Sequence, residues 1–197
     1  MRMGHCVLTS VAIGLVLAVG IPRVADATVF FCGSGDVFCL IGSIESTNAG
    51  RGADTIILQA GTYTFTVADN VLDAPSAPFG SLGNALPSIT GRVTIQGAGP
   101  TETILDGSGL VHLFHVAESG RLTLHGLTIQ NGSAVPANGG AIFNRGTLTI
   151  SQTVIRDNRA RGLGGGGIYS VGTLRIVDSR VTNNVTFGGE FGGGILS

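Results

Sequence analysis

From Gly120 to Ser197 the chain alternates apolar and polar residues in short runs, and the runs return at a fixed spacing. Gly120-Arg121-Leu122-Thr123-Leu124 comes back as Gly146-Thr147-Leu148-Thr149-Ile150 and again as Gly172-Thr173-Leu174-Arg175-Ile176, 26 residues apart each time (148 − 122 and 174 − 148). A second landmark keeps step: Gly139-Gly140-Ala141-Ile142, then Gly165-Gly166-Gly167-Ile168, then Gly192-Gly193-Gly194-Ile195. Alternation with a period of two marks strands with one buried and one wet face. A fixed period of about 20 to 50 residues marks stacked units that cannot bury their apolar faces alone.

Each repeat carries three apolar pieces. In one they are Leu122 to Leu124, Leu127 to Ile129 and Ile142-Phe143; in the next, Leu148 to Ile150, Val154-Ile155 and Ile168-Tyr169. Looser copies begin at Arg92, and Thr55 to Leu58 with Thr62 to Val67 form a first strand pair. No run with a helical period lies between them. The pattern predicts an all-β fold, a right-handed parallel β-helix of about five coils with three short strands per coil. Residues 54–197 are assigned to it. Asp69 to Ser88, rich in Pro and Gly, is expected to be a loop inserted in the first turn.

Residues 28–53 are expected to form a small N-terminal cap. Asp36 is placed to cap a short helix in which Val37, Leu40, Ile41 and Ile44 share one face. Residues 1–27 read as a signal peptide, with Arg2 ahead of an apolar stretch from Val7 to Ile21 and Ala25-Asp26-Ala27 as the cleavage pattern. The chain stops inside the third strand of a repeat with no capping sequence. Either truncation or end-to-end association of open coil ends is therefore expected.

Composition narrows the partners. The net charge is −1 and all 11 basic residues are Arg, so no bulk field attracts nucleic acid, and no membrane association is expected once the leader is removed. Arg156, Arg159 and Arg161 form the one local basic cluster and read as a solvated turn. Removal of the leader takes Cys6 with it and leaves Cys32 and Cys39, which read as one local disulfide in an exported chain. Asn131, Asp157 and Asn183 follow the second strand of successive repeats and are expected to stack as a structural ladder. Phe143 and Tyr169 stack likewise, with Leu196 in the third place.

No catalytic, cofactor-binding or metal-binding residues emerge. Glu102, Asp106, Glu118, Asp157, Asp178 and Glu190 are scattered through the coils, and Asp157 and Asp178 fall at different places in the repeat. His112, His115 and His125 do not follow a helical ligand spacing and read as separate histidines.

Several phrases resemble a known family. Ala53-Asp54-Thr55-Ile56-Ile57-Leu58, Ala60-Gly61-Thr62-Tyr63, Thr94-Ile95-Gln96-Gly97-Ala98-Gly99, Thr103-Ile104-Leu105-Asp106-Gly107 and Leu127-Thr128-Ile129-Gln130-Asn131-Gly132 look like exported right-handed parallel β-helix proteins with a CSLREA-type N-terminal region, in the pectate-lyase-like superfamily. In place of that family's Cys-Ser-Leu-Arg-Glu-Ala the chain has Cys39-Leu40-Ile41-Gly42-Ser43-Ile44. The resemblance implies an extracellular or cell-surface location and a non-enzymatic structural, adhesive or carbohydrate-contacting module. A polysaccharide or a host or cell surface is then the expected partner. The alternative is a polysaccharide lyase or hydrolase whose active site lies outside this chain.

Overall fold

The computed structural model describes residues 26–69, 83–134, 137–188 and 192–197. The expected signal peptide lies outside the described residues except for Asp26 and Ala27. The described strands wind into a parallel β-solenoid with four sides. The first side stacks β1 (Val29–Cys32), β2 (Ala53–Leu58), β4 (Arg92–Gln96), β7 (Arg121–His125), β11 (Thr147–Ser151) and β15 (Thr173–Val177). On the second are β3 (Gly61–Thr64), β5 (Thr103–Asp106), β8 (Thr128–Gln130), β12 (Val154–Arg156) and β16 (Arg180–Thr182). The third holds only β9 (Ser133–Ala134), β13 (Arg159–Ala160) and β17 (Val185–Thr186), and the fourth β6 (Phe114–Val116), β10 (Ile142–Asn144), β14 (Ile168–Ser170) and β18 (Ile195–Leu196).

Leu122, Leu148 and Leu174 are register partners, as the 26-residue period requires. The six strands of the first side make about six turns where five were expected. The extra turn comes from β1, inside the expected cap, which pairs with β2 from Val29 opposite Thr55 to Cys32 opposite Leu58. The later turns have four strands and not three. The third side escapes the pattern because each of its strands is two residues long and sends in only a small side chain, such as Ala134 or Ala160.

Alternation decides what is buried. Val93, Leu122 and Leu148 line the interior of the first side, with Ile95, Leu124 and Ile150 beside them; Leu105, Ile129 and Ile155 do so on the second, and Phe114, Ile142 and Ile168 on the fourth. Each such side chain contributes about 1.5–3 kcal/mol when removed from water. The corners need a different backbone. Gln152 and Asp178 turn the first side into the second with φ 47° at both, a left-handed conformation that L-residues other than Asn, Asp and Gly rarely adopt. At the entrance to the fourth side a Cβ on Gly140 would collide with the carbonyl oxygen of Gly166 in the next turn, which accounts for the repeated Gly-Gly.

The helix α1 (Val37–Ala49) covers the first turn, burying Leu40, Ser43, Ile44 and Thr47. Asp36 accepts from the Cys39 amide at 3.0 Å, capping the first turn of the helix. At the other end Asn48 donates to the Ser88 carbonyl and accepts from the amides of Thr90 and Gly91, which ties the helix to the coil. A disulfide joins Cys32 to Cys39, locking α1 to β1, with the Cα atoms 5.5 Å apart. Of the loop expected from Asp69 to Ser88, residues 70–82 lie outside the described residues. Its end is not loop-like: Ala85 and Leu86 are buried, and Asn84 bridges to His112, so this stretch supplies a wall of the fourth side. Among the described residues no helix is long and apolar enough to cross a membrane.

Candidate functional site

The corner between the second and third sides gathers the most chemistry. Asn131, Asp157 and Asn183 occupy it at equivalent positions, with φ 52°, 57° and 54°. The inward-pointing residue comes next in the chain. Asn158 accepts from the Gly132 amide through Oδ1 at 2.7 Å and donates from Nδ2 to Asn184 Oδ1 at 2.9 Å. Asn184 in turn accepts from the Asn158 amide and donates to the Ile155 carbonyl. The amide ladder of Asn158 and Asn184 thus runs one residue after the turn residues, through side chains buried under the corner.

Outside the corner a groove of about 420 Å³ is lined by Thr64, Asp106, Ser108, Asn131, Asp157 and Arg159. Asp106 ends β5 and is held by three donors: the Ser108 amide at 2.7 Å, Gln130 Nε2 at 2.7 Å and Asn131 Nδ2 at 2.9 Å. Arg159 is fixed too. Its Nε donates to Ser133 Oγ at 3.2 Å and its Nη2 to the Gly109 carbonyl at 2.6 Å, so the guanidinium spans neighbouring turns. Asp157 receives Arg156 Nη1 at 2.8 Å, a pair open enough to water to contribute little to stability. Past Arg159 the surface continues into a hollow of about 530 Å³ with Arg161 and Phe187, the latter 55% exposed.

A larger groove, about 910 Å³, lies over the second side between Thr128, Val154, Asp178 and Arg180. Among its lining residues Arg156 is already engaged by Asp157. The corner is the better candidate because its polar groups converge and are held in place before anything binds.

The other residues singled out by sequence are dispersed. His112 is buried and donates from Nδ1 to the Gly139 carbonyl at 2.6 Å. Burial, with His115 nearby, outweighs its hydrogen bonds and holds its pKa down to about 4, so the ring is neutral at pH 7. His115 pairs through Nδ1 with Ser88 Oγ at 2.8 Å and heads a ring stack, 5.5 Å from Phe143, which is 5.4 Å from Tyr169. His125 pairs with Ser151 on the first side. Glu118 is ion-paired with Arg145, and Glu190 lies outside the described residues. Among the described residues no three His, Cys, Asp or Glu side chains gather where a metal ion would sit.

The sequence separates Asp106 from Asn131 and Asp157 by whole turns, and only the register brings them to one groove. Phe187 carries a faint signal of its own, a large apolar residue at the end of a polar stretch. Compared with known proteins, the chain matches no family model, no curated protein and no solved structure. The resemblance to CSLREA-type proteins therefore stands on the motifs quoted above.

Proposed function

We propose that the chain is a non-enzymatic, exported β-helix module, secreted or displayed at the cell surface, that contacts carbohydrate through the corner groove. Export is supported by the leader-like residues 1–27 and by the Cys32–Cys39 disulfide, a bond that persists mainly in oxidising compartments. The observation that carries a binding role is the commitment of the groove's polar groups. The oxygens of Asp106 serve three donors and Arg159 is tied at both ends, so they present a fixed pattern of charge and acceptors. A general acid or base needs a free edge aimed at the reacting atom. Next to this pattern, Arg161 and the exposed ring of Phe187 offer a charge and an apolar face of the kind sugar rings pack against.

The test is a binding screen of the full chain over neutral and acidic oligosaccharides, with product release followed in the same samples. Saturable binding without new reducing ends or unsaturated sugars is expected, with Phe187→Ala and Arg161→Ala each weakening it about tenfold, or ~1.4 kcal/mol. Turnover of any oligosaccharide, or binding indifferent to both substitutions, would overturn the reading.

A further inference from the structure

The outer face of the first side carries a second pattern that the corner groove does not use. Its outward residues stack in columns. Thr55, Thr94, Thr123 and Thr149 are successive register partners and end at Arg175; in the neighbouring column Arg92 pairs with Arg121, followed by Thr147 and Thr173. The three arginines are exposed, and among the described residues none of them makes an ion pair or a side-chain hydrogen bond. The one carboxylate on these six strands, Asp54, is buried and accepts from the Thr28 amide at 2.8 Å. In a chain of net charge −1 these two columns thus present arginines and hydroxyls with no outward acid among them.

Arg92 and Arg121 lie directly opposite each other on adjacent strands, about 4.8 Å apart, and like charges so placed repel. An anion between them removes that cost. Each guanidinium offers a planar fork of donors, so a bridging anion must serve two forks at once. One fork engages both oxygens of a carboxylate, or both free oxygens of a phosphodiester, side-on and leaves a second fork only end-on contacts, whereas the three oxygens of a sulfate monoester point apart and let each of two forks take a pair. Arg175 lies two strands beyond Arg121, about 10 Å along the solenoid axis, with the threonine column leading to it. We infer that this face docks a sulfated polysaccharide lying along the solenoid axis, one sulfate bridging Arg92 and Arg121, a later one meeting Arg175, and the threonine hydroxyls meeting the sugar hydroxyls.

This surface belongs to a different side of the solenoid from the corner groove, so the two readings stand or fall separately. The full chain is tested on immobilised dextran sulfate, carboxymethyl dextran and unmodified dextran, which share one backbone, and on vesicles containing phosphatidylglycerol. Binding to dextran sulfate is expected to be about tenfold tighter than to carboxymethyl dextran, and absent on dextran. Arg92→Gln with Arg121→Gln should lose about tenfold, and Arg175→Gln alone about threefold. Arg156→Gln with Arg180→Gln, which removes the same charge from the second side, should change binding less than about twofold. All variants are checked for a wild-type melting transition, and Arg161→Ala should bind dextran sulfate as the wild type does. Equal affinity for the carboxylated polymer, an equal loss in the second-side variant, or retention on the vesicles but not on dextran sulfate overturns the assignment.

Discussion

At the corner of the second and third sides, neighbouring residues do opposite work. Asp157 is exposed and its left-handed backbone suits Asn equally, so Asp157→Asn should shift stability by less than about 0.5 kcal/mol. Asn158 is fully buried, and Asn158→Ala strands the Gly132 amide and removes the Nδ2 donations to Asn184 Oδ1 and the Ile129 carbonyl; a loss of about 3 kcal/mol is expected from urea unfolding. The difference explains what sequence could say here. An Asn/Asp column is visible as a column, but what 131, 157 and 183 share is a left-handed backbone, Asn131 also donating to Asp106, while the amides bonded to one another follow at 158 and 184. His112 makes a second residue-scale prediction. Its folded pKa of about 4 lies below the ordinary 6.5, so between those values the unfolded chain binds a proton that the folded chain does not. Stability is unaffected above about pH 7 and falls as pH drops from 6.5 towards 4, by roughly 3 kcal/mol at the bottom of the window. His112→Gln, which keeps a donor for Gly139, should flatten the melting temperature across that range; an unchanged slope would assign the acid sensitivity elsewhere.

Among the elements, α1 was legible and the third side was not. The helix declares itself through Asp36 and the spacing of Leu40 and Ile44, whereas a two-residue strand carrying one inward Ala has no period to detect. β1 was hidden differently. Val29 to Cys32 is a continuous apolar run with no alternation to read, and its partner β2 lies beyond an intervening helix, so only the register shows that the cap begins with a rung. The disulfide holds that rung to the helix across a separation of seven residues. Closing so short a loop is worth about 2–3 kcal/mol. Reduction, or Cys32→Ser with Cys39→Ser, should lower the unfolding free energy by that amount, and protease should then cut first between β1 and α1. Loss of stability without such local cutting would show that the bond acts on the unfolded chain alone.

For the whole molecule, burial falls off toward the last turn. Leu148, Ile150, Ile155 and Ile168 are sealed, while their partners Leu174, Ile176, Val181 and Ile195 are only partly buried. In a solenoid each turn leans on its neighbours, so amides of β15 to β18 should exchange with solvent much faster than those of β7 to β11. The repeat has a consequence for how such a chain tolerates editing. Each 26-residue unit ends at the place in the cross-section where it began, so excising residues 147–172 splices Gly146 to Thr173 and sets Leu174 beneath Leu122, with Asn184 inheriting the bond of Asn158 to the Gly132 amide. The shortened chain should fold, one rung of about 4.8 Å shorter, while deleting one residue inside a strand, which flips its inward side chains outward, should not. Length in this molecule is a discrete variable, adjustable by recombination between copies without any redesign of the interior.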